Sequence, residues 1–255
     1  MMMKLKILFL AVLFAFSSAL FAQKAEMNPD AAKLYNEGNS LVKSGQYSGA
    51  LEKYNAALEI EKNAKIYYQK SIALKKLRKF KEAETTLLEC IKIDSNFVSA
   101  YSGLGTTYYS LKEYQKAIDN FNLYLQKSDN EKQNKKIKKF IGLAYTQLGR
   151  ISKQDGKHKE AIKYLLEATK NYDYDAAYLL MAEIYNDLGE YKKALEAADK
   201  ATNYRKKISK GAPYYYKGLA FKGLGDKEKA RENFKIAAKD KQYKNNANYE
   251  LKNLK

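Results

Sequence analysis

The chain has 255 residues, with two prolines, no tryptophan and 23 tyrosines. Few prolines, many Ala, Leu, Lys and Glu residues and no Val/Ile/Thr-rich runs exclude a sheet-dominated fold; Cys90, the single cysteine, excludes an internal disulfide. Lys and Arg number 47 against 29 Asp and Glu, a net charge of +18 that turns attention to anionic partners.

The chain opens with the basic "MMMKLK", followed by the apolar "ILFLAVLFAFSSALFA" and then the polar "QKAEMNPD". That order reads as a secretory signal peptide over residues 1–22, with cleavage after Ala22 preferred to cleavage after Ala19. The apolar run is short of the roughly 20 residues a bilayer span needs, so no transmembrane span is expected in the mature chain; an uncleaved anchor helix is the alternative. No cysteine follows the run, which argues against a lipoprotein anchor. The expectation is an exported protein of the periplasm or cell envelope of a bacterium, or one released outside the cell. Without Lys4 and Lys6 the balance is 45 basic to 29 acidic residues, or +16.

After a short segment over 23–30, "NPD" supplies an N-cap, Asn28, and a proline at the first helical position. From there the sequence repeats itself: "LKEYQKAIDNFNLYL" at Leu111 and "LGEYKKALEAADKA" at Leu188 nearly superpose. Anchoring on Ala50, Ala83, Ala117, Ala161, Ala194 and Ala230 gives spacings of 33, 34, 44, 33 and 36, the period of a helical solenoid. Each unit reads as two amphipathic helices around a tight turn, seen as "KSGQY", "LRKF", "LKEY", "LGEY" and "LGDK". The units span about 31–63, 64–97, 98–130, 131–174, 175–210 and 211–242, with a capping helix in 243–255. Each first helix carries a small residue near its end (Gly38, Ser71, Gly105, Ala182, Gly218). Glycine in a helix costs about 0.5–1 kcal/mol against alanine, so its recurrence at one phase predicts a close helix crossing. Cys90 falls on an apolar helix face and reads as a small core residue.

The fourth unit is longer. Two phases fit it, one through "FIGLAYTQLG" and one with Leu148 and Gly149 in the small-residue slot. They differ by seven residues, two helical turns, so both put the same face inward. One long first helix is expected, with "SDNE" from Ser128 to Glu131 as a capping box and Asp155-Gly156 ending it. Lys135, Lys136, Lys138 and Lys139 surround its apolar face, as a solvated helix end or as a docking surface for an anion.

These residues resemble the tetratricopeptide repeat family. Leu34, Tyr67, Tyr101, Tyr145, Tyr178 and Tyr214 stand where the family usually has tryptophan. Tyr47, Phe80, Tyr114, His158 and Tyr191 supply the turn aromatic or its equivalent; Lys227 departs from it, and the family's unit-ending proline is absent. The resemblance implies an all-α, right-handed solenoid of antiparallel helix pairs whose first helices line a concave groove for peptides. By phase, the groove presents Tyr35, Asn39 and Lys43; Lys65, Tyr68, Ile72 and Lys76; Thr106 and Tyr109; Thr146, Arg150 and Lys153; Leu179, Glu183 and Asn186; and Tyr215, Leu219 and Lys222. Of the terminal-carboxylate clamp used by chaperone-binding members, only Asn39 matches; Tyr35, Gln69, Ser99 and Gly103 occupy the other places.

Catalytic groups are sparse. The one histidine, His158, sits in a packing slot, and Gly156-Lys157-His158 lacks the upstream glycine and Ser/Thr of a phosphate loop. No cofactor, metal site or enzymatic activity is expected, nor a nucleic-acid partner. The expected role is an interaction scaffold for an acidic peptide or protein. The alternative is an assembly subunit of an envelope or secretion complex that uses the basic C-terminal units, where residues 200–255 hold 16 Lys and Arg against 5 Asp and Glu, net +11.

Overall fold

The structure, a computed structural model, describes residues 26–254; the proposed signal peptide and its Ala22-Gln23 junction lie outside them. The described residues form thirteen helices and no strand. First helices are α1 (Pro29–Lys43), α3 (Ala64–Lys76), α5 (Val98–Ser110), α7 (Glu131–Gln154), α9 (Asp175–Asp187) and α11 (Gly211–Gly223). Second helices are α2 (Tyr47–Ile60), α4 (Phe80–Ile93), α6 (Tyr114–Lys127), α8 (His158–Asn171), α10 (Tyr191–Asn203) and α12 (Lys227–Ala237), and α13 (Lys244–Asn253) closes the stack.

Each first helix packs on its own second helix and on the first helices of adjoining units, whereas each second helix packs on the first helix of the next unit rather than on the next second helix. The first helices are therefore the inner layer of an α-solenoid and the second helices the outer one. Buried clusters run across unit boundaries: one joins Leu87 and Cys90 to Phe121, Ile137 and Ile141. No helix pair hides its apolar stripe alone, and stacking completes the core.

Local chemistry sets the element ends. Asn28 Oδ1 accepts from the Asp30 and Ala31 N–H groups, and Pro29 follows it. The turn between the two helices of every unit has one residue with positive φ in the same register: Gly45, Arg78, Lys112, Gly156, Gly189 and Gly225. Glycine takes that conformation freely, whereas Arg78 and Lys112 hold it against a steric cost. The next helix then begins at the turn aromatic or its equivalent, from Tyr47 to Lys227.

The small-residue slot is a crossing point, and its partner stands sixteen positions on. A Cβ added to Gly38 would lie 2.5 Å from the Tyr54 ring, at Gly105 2.4 Å from Phe121 and at Gly218 2.5 Å from Phe234. Where the slot holds Ser71 or Ala182, the residue sixteen on is Leu87 or Ala198. Ring size on one helix is matched by the absence of a side chain on the other.

The fourth unit follows this rule through Gly149, where an added Cβ would lie 2.8 Å from Leu165 Cγ. Of the two phases open in sequence, the Gly149 phase is therefore the one that forms the crossing. Gly142 instead approaches the end of α8, against the Ala168 carbonyl and Tyr172. The 24 residues of α7 extend it to roughly 36 Å. Its N-cap differs from the expected box. Asn130, not Ser128, caps it by accepting from the Gln133 N–H, while the Ser128 hydroxyl turns back to Tyr124. Cys90 is fully buried and donates to the Ala64 carbonyl at 3.2 Å; burial, then Asp94, pushes its thiol up to about 12.

Candidate functional site

The inner layer carries the residues assigned to the groove from sequence, among them Tyr35 and Asn39 on α1, Lys65, Tyr68 and Lys76 on α3, Tyr109 on α5, Arg150 and Lys153 on α7, Asn186 on α9, and Tyr215 and Lys222 on α11. Lys65, Lys76, Arg150 and Lys222 are exposed and the others half-buried. Thr146, placed in the groove by phase, is instead fully buried and donates to the Gly142 carbonyl.

At the N-terminal end, the Tyr54 hydroxyl donates to Asn39 Oδ1 at 2.8 Å, which orients the Asn39 amide. Burial, and then Tyr35, pushes the Tyr54 phenol up to about 12. Tyr68 stacks obliquely on Phe97 with centroids 5.2 Å apart, and burial raises its phenol as well. Tyr109 meets Tyr114 edge-on at 5.4 Å, and burial again raises the phenol. Such tyrosines are rigid, half-dry surfaces that keep their protons across the physiological range.

A second register, four residues past the small slot, ties the inner helices together. Lys75 Nζ donates to Thr106 Oγ1 at 2.5 Å. Lys153 Nζ lies 2.6 Å from Glu183 Oε1 and 3.9 Å from Asp187 Oδ2. Asn186 Nδ2 donates to the Tyr216 carbonyl at 3.1 Å, and Lys222 Nζ lies 2.6 Å from Glu250 Oε2 on the capping helix. Helical phase in the sequence points to the exposed Lys76 rather than to its neighbour Lys75. The signal that finds it is the register it shares with Lys153 and Lys222, each four positions after Ser71, Gly149 and Gly218.

These ties alter the basic groove expected from sequence. Lys153 and Lys222 spend their charge on internal carboxylates. Tyr215 is packed among Tyr216, Phe234 and Tyr243, with centroids between 5.3 and 6.0 Å away. Among the described residues, the cations assigned to the inner face that have no carboxylate within ion-pair distance are Lys65 and Lys76 on α3, joined by Lys75, with Lys43 and Arg150 to either side. Among the described residues no His, Cys, Asp or Glu cluster gathers to hold a metal ion, and no helix is long and apolar enough to cross a membrane.

A stack of such helix pairs, with a small residue at each crossing and an aromatic after most of the turns, defines a helical-repeat protein. Profiles of the tetratricopeptide repeat match residues 31–64, 64–97 and 142–212, and the chain belongs to that family. It is 27% identical over 139 residues to the small glutamine-rich tetratricopeptide repeat-containing protein 2 of Mycosarcoma maydis, covering 54% of this chain and 39% of that one. It is 25% identical over 180 residues to the Hsp70-Hsp90 organizing protein of Triticum aestivum, covering 68% of this chain and 30% of that one. The chain thus spans less than half the length of these curated relatives. Among solved structures it is similar in fold to YrrB, a TPR protein with an unusual peptide-binding site, at a TM-score of 0.53 and 20% identity, over 78% of this chain and 97% of that one.

Proposed function

We propose that this chain is an exported, non-catalytic interaction scaffold that holds an acidic peptide or protein segment along its inner face. Membership of the family supports the interaction role. One observation carries the location: consecutive first helices form a continuous inner layer, and on it Asn39, Tyr68, Tyr109 and the lysines of α3 keep part of their surface in solvent. Tyrosine beside lysine and asparagine combines rigid aromatic area with adaptable hydrogen bonds. The +16 left after the first 22 residues supports an acidic partner, and the basic start followed by a short apolar run supports export.

The relatives' names point to chaperone organisation, but this groove departs from the carboxylate clamp of chaperone-binding members at all but Asn39, which favours a different ligand. A second reading is an assembly subunit that uses its basic C-terminal edge. It draws on the loop Arg205–Lys210, held by Asp175, whose carboxylate accepts from the Lys206, Lys207 and Ile208 N–H groups.

Crosslinking in the source cells followed by mass spectrometry tests the scaffold reading. Partners released by moderate salt and carrying acidic segments are expected. Stoichiometric, salt-insensitive co-purification would favour the assembly reading. Intact mass of the protein from the cell envelope tests export: a chain beginning at Gln23 is expected, and a chain beginning at Met1 that resists carbonate extraction would overturn it.

A further inference from the structure

We infer that the inner face has one open carboxylate subsite, at Lys75 between the second and third units. This rests on the groove reading above and names the chemistry at one place within it.

The molecule contains its own comparison. Lys75, Lys153 and Lys222 occupy one register of three first helices; Lys75 and Lys153 reach the next first helix, and Lys222 reaches the capping helix. Two of them end on a glutamate, Glu183 or Glu250, at 2.6 Å. Lys75 ends on Thr106, which stands in the same register as Glu183, one position past the small slot. The Thr106 hydroxyl has committed its own proton to the Gly103 carbonyl at 2.9 Å, so it offers Lys75 a lone pair and no charge.

Lys75 is half-buried, and among the described residues no carboxylate lies within ion-pair distance of it. The charge that acts on it is Lys76, of the same sign; burial first and Lys76 second draw its pKa below the ordinary lysine range. A partly desolvated ammonium has three donors, and here the protein supplies one neutral acceptor. The geometry that receives a carboxylate at Lys153 and Lys222 is left one carboxylate short at Lys75. A bound peptide is the available donor of that group. Ile72, one turn back on α3, gives an apolar contact beside it, and Lys65 and Lys76 on the same helix attract an acidic chain from a distance.

Thr106→Glu installs the internal carboxylate in the position Glu183 already occupies, so it closes the subsite without disturbing the helix. Lys75→Gln removes the cation and serves as an independent second variant. The probes are three pools of short random peptides: Glu-containing with an amidated C-terminus, Gln-containing with a free C-terminal carboxylate, and Gln-containing with an amide. Retention is measured on immobilised full chain, with thermal melts of each variant alongside. The wild type is expected to retain a carboxylate-bearing pool about tenfold over the neutral pool, the range of one charge-assisted contact. Both variants should lose that preference while retaining the neutral pool as before. Which carboxylate pool shows the preference identifies its source as an acidic side chain or the chain terminus. If both variants keep the preference at full strength, the subsite is wrong and the groove reading stands. If the folded wild type retains no pool at all, the groove reading itself fails.

Discussion

Two seams of the solenoid share one frame and end in different electrostatics. Between the second and third units, Lys75 reaches Thr106; between the fourth and fifth, Lys153 reaches Glu183 and Asp187. The small slots, Ser71 and Gly149, each have a buried leucine sixteen positions on, Leu87 and Leu165, and the lysines stand four positions on in both. The difference is one side chain. Repeat spacing decides where a group stands, and the identity of its neighbour decides whether the protein consumes its charge or offers it. The C-terminal half of the inner face is largely neutralised from within, and the stretch around α3 is not.

The largest expected effect breaks the shared frame itself. Ala194 is fully buried on α10, one turn before Ala198, the residue sixteen positions after the small slot of the fifth unit. Ala194→Leu should cost about 1–3 kcal/mol by overpacking, whereas Lys192→Leu, exposed two residues away, should stay within about 0.5 kcal/mol. Equal shifts in denaturant midpoint for both variants would mean that the register is misplaced.

A smaller effect sharpens the charge contrast. Reversing the exposed cations of α3 together, Lys65→Glu with Lys76→Glu, should weaken retention of the Glu-containing pool by roughly tenfold, chiefly through slower association, and added salt should shrink the gap. Lys252→Glu, on the capping helix, is the control of like charge change. If it weakens retention equally, the basic C-terminal region is the true surface.

Smaller again are the turns beneath the two seams. Lys112 has φ of 63° where Gly156, Gly189 and Gly225 fill the same place. Lys112→Gly should therefore raise stability by about 0.5–1 kcal/mol, the reverse of the usual glycine penalty. Chemical denaturation measures it directly.

The folded pKa of Lys75 lies below its unfolded value, so between the two the unfolded chain binds more protons and this lysine's contribution to stability rises with pH. Preference for the Glu-containing pool should fall as pH passes upward through the folded value. Both trends are read as differences between the wild type and Lys75→Gln, which cancels the other alkaline titrations.

Much of this architecture was legible in the residues. The recurrent alanines, small slots and turn aromatics mark helix crossings and starts, because a close approach admits only small residues there. Tyr47, Phe80, Tyr114, His158, Tyr191 and Lys227 each open a second helix. The fourth unit stayed ambiguous because its two phases differ by whole turns; only Leu165, across the crossing, selects Gly149 over Gly142. Ser128 resembled a cap, but two further residues precede the helix and Asn130 takes the role. Phase put the proposed groove residues on the inner helices, yet could not see their pairing. Glu183 and Glu250 lie about thirty positions from the lysines they neutralise, a distance set by stacking rather than by local pattern. Adjacent lysines also hid the relevant one, since exposure pointed to Lys76 and geometry points to Lys75.

Site-specific photocrosslinking of the Glu-containing pool to the full chain shows where an acidic ligand sits. A photoreactive residue is placed in turn at Ile72 on the inner layer, at the exposed Leu88 of the outer helix α4, and at Lys136 beside the basic start of α7. Capture from Ile72, suppressed by Thr106→Glu and absent from the other two positions, is the predicted result. Capture from Leu88 or Lys136 with none from Ile72 would contradict an acidic ligand seated at α3 on the inner face.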